Sequence, residues 1–366
     1  MIPSRSKQFA SQLPWKWILL ALLVIFPFAA QKMRAAGLSG LTGEFSNIMV
    51  FCILALALNV VVGYTGLLHL GIAGFFAIGS FTTGILCVPS YPFQTGFVLA
   101  AIGSMAAASI LGLVLAAPTL RLRGDYLAIV TLGFGEVVKI TLRNLEEITN
   151  GTRTIYGWAP LAAPQWLSDL AAKVHINLAD NIYFYYVALF ILLLVILALR
   201  NLERSSLGRA WVAIREDELA AASMGINIAR VKMLAFVISS ALAGLAGCLY
   251  ATRLTNTSDP NIGSFNKSVF VLCYLIVGGL GSTRGALLGV FLLVGYENIA
   301  APFINGVLEQ QGWKGSLGGL VDLSRWNLMV FGLALILMMR FRPEGLLPSS
   351  RIQQELHETD PDSVLN

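Results

Sequence analysis

Apolar stretches with few charges alternate with short polar connections along most of this chain. Stretches long enough, or nearly so, to cross the hydrocarbon core of a bilayer, which takes about 17 to 25 residues, fall near 15–31, 46–63, 67–88, 97–117, 125–143, 183–200, 231–252, 268–281, 285–301 and 326–340. The pattern predicts an all-α polytopic membrane protein with about ten transmembrane helices in one bundle. The bundle occupies 15–348, between an N-terminal tail at 1–14 and a C-terminal tail at 349–366. The eighth and ninth spans are the least sharply separated, because "GGLGSTRG" at 278–285 reads either as a tight turn or as part of a broken helix.

Small residues are spaced for close helix contact. Ala235, Ser239, Ala243, Gly247 and Ala251 recur every fourth residue on one helical face, so that neighbouring backbones can approach where lipid supplies no hydrophobic drive for association. The third span carries Gly66, Gly71, Gly74 and Gly79. Two readings stay open there, dense helix packing or local unwinding that lines a cavity.

Composition agrees with the apolar pattern. Hydrophobic residues make up 56% of the 366 and charged residues 12%, and the mean hydropathy is +0.73, outside the range of soluble domains. The formal charge of +5 is not a nucleic-acid footprint, because the basic residues are dispersed and lie beside apolar runs. Alternation from a cytoplasmic N-terminus places fifteen of them inside, among them Arg121, Arg123, Arg200, Arg204, Arg209, Arg215 and Arg230, and eight outside. That bias follows the positive-inside rule. Both termini and 201–230 are thus expected in the cytoplasm, and 144–181, with Trp158 and Trp166, outside as a cap on the bundle or a docking surface. The first apolar run follows basic residues and precedes Ala29-Ala30, as in a cleaved signal peptide; a retained first span is the expectation. The cysteines Cys52, Cys87, Cys248 and Cys273 fall in apolar runs without paired spacing and read as small core residues.

No catalytic constellation is legible. "GGLGSTRG" lacks the Gly-Lys-Ser/Thr ending of a phosphate loop. His69, His175 and His357 are scattered without a metal-binding pattern, and no GxSxG nucleophile motif occurs. No cofactor is expected in this chain. The scarce polar residues inside spans are the candidates for a solute path, since a charge facing lipid costs about 2.5 to 3.5 kcal/mol on insertion scales. Glu136 leads them, with an i,i+3 ion pair to Lys139 as its structural alternative. Asn59 and Thr131 follow, with interhelical hydrogen bonding as theirs.

One polar stretch stands apart. "LGRAWVAIREDELAAASMGIN" at 207–227 lies between two apolar spans. Ser206 is placed to cap a helix over 207–216, Asp217 to cap a second, and Gly225 to end it in the left-handed conformation. Its apolar residues form no clean stripe, which favours docking on protein over lying in the lipid interface. A solvated loop is the alternative.

At these residues a family resemblance becomes specific. "LRLRGDYLAIVTLGFGE" at 120–136, "LGRAWVAIREDELAAASMGI" at 207–226, "ALNVVVGYTGLLHLGIAGFFAIGS" at 57–80 and "RPEGLLP" at 342–348 resemble the LivM-type permease of bacterial branched-chain amino-acid ABC importers, over nearly the whole chain. The resemblance implies half of a heterodimeric pore in the inner membrane, paired with a LivH-type permease. It also implies two cytoplasmic ATPase subunits that bind ATP and magnesium, and an extracytoplasmic amino-acid-binding protein. It further implies that the 207–227 loop is the coupling segment fitting a groove of the ATPase, with Gly208, Arg209, Arg215, Glu216, Asp217, Glu218, Ala221 and Gly225 as coupling residues. "ELAA" stands here in place of the strict Glu-Ala-Ala order of importer permeases. Relatives of this kind also move urea or short amides, which keeps the solute open. A secondary transporter would show more intramembrane charge and two related halves, and a membrane enzyme a catalytic cluster.

Overall fold

A computed structural model describes residues 40–119, 124–159, 180–257, 260–310 and 323–348, together with 23–28, 30, 161 and 164. Both expected tails, most of the first expected span and most of the 160–179 stretch lie outside the described residues. The helices are α1 (Leu41–Leu58), continued by a π-helical turn over Asn59–Tyr64, α2 (Ile72–Cys87), α3 (Phe97–Thr119), α4 (Asp125–Asn144) and α5 (Asp180–Arg204). Then follow α6 (Ser206–Glu216), α7 (Glu218–Ser223), α8 (Ile228–Leu254), α9 (Phe265–Gly278), α10 (Thr283–Gly295) and α11 (Asn327–Phe341). A π-helical turn at Tyr296–Ala300 carries α10 on into Ala301–Gln310. No strand occurs among the described residues; Tyr156 and Asn256 form a single antiparallel bridge.

Among the described residues, five helices are long and apolar enough to cross a membrane: α1 with its π turn, α3, α5, α8 and α10 with its continuation. The apolar helices α2, α9 and α11 are shorter. At 1.5 Å per residue the 14 residues of α9 reach about 21 Å, less than a hydrocarbon core of about 30 Å. The structure thus establishes an all-helical, membrane-type bundle without fixing ten crossings. α4 is 20 residues long, but Glu136, Lys139 and Arg143 make it more polar than the five.

From Ile48 to Leu58 α1 is apolar on every face, and a helix with that pattern belongs in a core; from Ser46 to Thr65 every residue is buried. α8 packs along α1, α2 and α3. Its small-residue face is buried throughout, and a side chain on Gly247 would collide with the Phe76 carbonyl of α2. α3 answers with Ala100, Ser104, Ala108, Gly112 and Ala116, buried toward the bundle, while Leu99, Ile102, Ile110 and Val114 face outward. An apolar outer face is what lipid requires.

The third span combines helix packing with a non-helical stretch. Gly74 and Gly79 pack helix on helix, with Gly74 against Gly135 and Gly79 against Gly244. Gly66, at φ +71°, and Gly71 belong to a non-helical stretch before α2. There a 3-10 turn at Pro260–Gly263 packs against the first turns of α2, and the Ala73 N–H donates to Ser268 Oγ of α9 at 3.2 Å. Two short helices therefore start side by side inside the bundle. At the opposite end, Ile155 and Trp158 are buried near the C-terminal end of α2, and the Thr257 N–H donates to the Ile155 carbonyl at 3.0 Å, so the described part of the 144–181 stretch packs onto the bundle. Cys52, Cys248 and Cys273 are buried, Cys87 is half-buried, and all four are free.

Candidate functional site

The polar stretch at 207–227 forms two helices with a charged bend between them. Ser205, rather than Ser206, caps α6, its hydroxyl accepting the Gly208 N–H at 3.3 Å; the sequence offers two adjacent serines and only backbone geometry chooses. Asp217 is extended and its carboxylate accepts the N–H groups of Leu219 and Ala220 at 2.7 and 3.1 Å. Gly225, at φ +83°, closes α7 with the paired bonds Gly225 N–H to Ala222 O and Ile226 N–H to Ala221 O. That is the two-bond stop in which a left-handed residue satisfies the last carbonyls.

The pair sits on protein. Gly208 packs against the carbonyls of Leu202 and Glu203, where no side chain would fit, and Trp211 is fully buried. Its indole N–H donates to the Val231 carbonyl at 3.0 Å, and its ring stacks on Tyr64 with centroids 6.3 Å apart and planes 9° from parallel. Arg209, Glu216, Asp217, Leu219, Met224 and Gly225 lie on the exposed side, with Ala221 buried beneath. Two of the coupling residues implied by the resemblance make contacts toward the bundle. Glu218 pairs with Lys232 of α8 at 2.8 Å, a half-buried carboxylate neutralising an ammonium only 4% exposed. Burying a lysine without such a partner would be costly. Arg215 also points inward, its Nη1 donating to the Gly63 carbonyl at 2.5 Å.

Arg215 reaches a junction of irregular backbone. In the π turn the Leu67 N–H turns back to the Val61 carbonyl, as does the Thr65 hydroxyl, and the Gly63 carbonyl is met by Arg215. Asn59, fully buried in that turn, accepts the Gly281 N–H on Oδ1 at 3.0 Å, and its Nδ2 has no partner among the described residues. Tyr64 and Thr283 share a hydroxyl–hydroxyl bond at 3.2 Å. "GGLGSTRG" is therefore a tight turn, with Gly279 and Gly281 at φ +118° and +71°, held against the end of α1.

The other two path candidates part company. Thr131 is fully buried; its hydroxyl accepts the Leu70 N–H at 3.1 Å and donates to the Ala128 carbonyl at 3.0 Å, so it ties α4 to the non-helical stretch. Glu136 is partly exposed, 31% at its side chain, and is ion-paired with Lys139. It also accepts the Phe265 N–H at 3.1 Å. A carboxylate at the start of α9 is favoured by the unpaired N–H groups and helix dipole there. Sequence reading passed over His69, which is 1% exposed between Phe75 and Phe236 and has no hydrogen-bond partner among the described residues. A lone histidine in an apolar run carried no signal of that environment.

Residues 45–339 match the family model described as branched-chain amino acid transport system / permease component. The chain belongs to this family. Among relatives within it, the high-affinity branched-chain amino acid transport system permease protein LivM of Escherichia coli (strain K12) is 38% identical over 353 residues, 92% of this chain and 75% of that protein. A probable branched-chain amino acid transport permease protein LivM of Methanocaldococcus jannaschii is 25% identical, covering 83% of this chain and 92% of its own length. The second permease type is also similar: LivH of Escherichia coli (strain K12) is 24% identical over 260 residues, 70% of this chain. No solved structure matches.

Proposed function

We propose that this chain is the LivM-type permease subunit of an ATP-driven importer for leucine, isoleucine and valine. The observation that carries the reading is the identity of 38% to a LivM across 92% of the chain. It forms half of the translocation pore with a LivH-type permease, and the similarity to LivH fits two halves of common build. Two cytoplasmic ATPase subunits bind ATP and magnesium, and an extracytoplasmic binding protein delivers the solute. The exposed side of α6 and α7, with Arg209, Glu216, Asp217 and Leu219, meets an ATPase; the inward side, with Gly208, Trp211, Arg215 and Glu218, passes the resulting displacement to the bundle. Glu136 faces the solute path rather than lipid, because a partly exposed ion pair turned to hydrocarbon would be costly.

Reconstituted with its partners, the chain should accumulate labelled leucine, isoleucine or valine only when ATP is supplied inside the ATPase-facing compartment. Uptake of urea with none of these three would overturn the solute and leave the transport class. Orientation is tested with single cysteines at Ser223 and Glu147, both exposed, in a background without the native four. An impermeant thiol reagent added outside should label Glu147→Cys and spare Ser223→Cys; the reverse pattern inverts the topology.

A further inference from the structure

The covalent routes out of α6 are jointed. Toward α5 the chain leaves helical geometry at Ser205, and toward α8 it passes the extended Asp217 and the left-handed Gly225 before Asn227 caps α8. Such joints can flex, so the backbone passes a displacement of α6 on only weakly. The route through side chains has none: the Arg215 guanidinium grips the Gly63 carbonyl at 2.5 Å, and its stem lies over Gly66, where an added Cβ would come within 2.9 Å of Arg215 Cγ. A Cβ on Gly281 would lie 3.3 Å from Arg215 Nη1 and 3.2 Å from the Gly63 carbonyl, so the α9–α10 turn closes the same knot from the other side. Trp211 stacked on Tyr64 adds a second, apolar contact between the same two elements.

We propose that Arg215 is the positioning residue through which α6 moves the bundle: α6, the 59–66 break in α1 and the 279–282 turn travel as one body. This rests on the reading of 207–227 as the ATPase-coupling segment and names its receiving end. The end of the π turn suits that role, since the last carbonyls of a helix, Gly63 among them, lack a helical donor, and a guanidinium supplies a charge-assisted bond that neutral donors do not match.

The test uses the whole reconstituted complex. Arg215→Gln should keep ATPase subunits bound and basal ATP hydrolysis near the wild-type rate, while solute moved per ATP hydrolysed falls about tenfold, the scale of one lost charge-assisted hydrogen bond. Arg215→Lys, which keeps the charge and one donor, should recover a substantial part. Wild-type coupling in Arg215→Gln overturns the proposal, and so does loss of ATPase binding in step with transport, which would put the guanidinium at the partner surface. Should Arg215→Gln fail to insert, the pair Gly66→Cys and Arg215→Cys decides. The Cβ positions are 3.7 Å apart, within disulfide reach. Oxidised, the pair should couple as the wild type does; reduced, it should be uncoupled. Equal coupling in both states overturns the proposal. A wild-type complex with no ATP-driven uptake removes the functional reading itself, and the inference with it.

Discussion

The seam between α3, α8 and α2 and the junction beneath α6 are both built on glycine, and they use it in opposite ways. In the seam, Gly79, Gly112, Gly244 and Gly247 sit in regular helix, and any side chain on them would strike a neighbour. Their neighbours are joined by buried hydroxyls, Ser104 donating to the Gly79 carbonyl at 3.0 Å and bonded to Thr83 at 2.9 Å. In the junction, Gly66, Gly279 and Gly281 are needed for positive φ, and the irregular segments are held by a few single hydrogen bonds and the Trp211–Tyr64 stack. Close-packed helices have one arrangement and resist any other. Irregular segments tied to one another by a few directional bonds can shift together against such a frame. A transporter needs both, a frame that keeps its shape and a part that moves against it.

The sharpest way to break that contrast is to overpack the frame. Gly247→Leu would drive a side chain into the Phe76 carbonyl and the Ser80 N–H. The expected result is loss of most monodisperse protein after detergent extraction, since overpacking costs about 1 to 3 kcal/mol even where the surroundings can shift, and here the obstacle is backbone. A wild-type yield and thermal midpoint would show that the seam is no rigid frame.

Glu136 asks to which class the link between α4 and α9 belongs. A purely structural ion pair predicts equal defects in Glu136→Gln and Lys139→Gln and recovery in the double variant. We expect otherwise. Glu136→Gln should lower uptake about tenfold, an effect of the size seen for a lost charged contact. Lys139→Gln should lower it less, because Phe265 still holds the carboxylate, and the double variant should not recover. Initial uptake rates at equal protein decide, and full recovery would assign the link to the frame.

Gly225→Val should have the smallest effect. An added Cβ at Gly225 meets nothing within 4 Å, so the change isolates backbone strain, about 1 to 2 kcal/mol for a left-handed residue. Insertion should be unaffected, with transport and solute-stimulated ATP hydrolysis falling together by severalfold. Wild-type transport would mean that the stop after α7 carries no motion.

The legible parts of this protein are those with local causes. Nine of the ten apolar runs correspond to α1–α5 and α8–α11, the first lying mostly outside the described residues, because burial and lipid demand the same composition from each. The α6–α7 pair was readable because Asp217 and Gly225 act on backbone groups within a few residues, and even there the choice between Ser205 and Ser206 was not. The small-residue ladder of α8 was readable because helical periodicity places it on one face whatever it meets. The inward contacts of Arg215 with Gly63 and of Glu218 with Lys232 were not readable for the complementary reason: a charge in a polar loop carries no mark of which way it turns.

What the amino-acid sequence determined by itself was the material: helices of membrane character, a capped polar helix pair between two of them, a close-packing face and a family. Only the tertiary structure decided the connections. Arg215 meets Gly63 across 152 residues, Asn59 meets Gly281 across 222, and Glu136 meets Phe265 across 129. No local pattern encodes such pairs, because each depends on how several helices pack together at once. Backbone propensities and hydrophobic periodicity act over one or two turns, whereas a hydrogen bond between distant segments exists only once packing has brought them within about 3 Å.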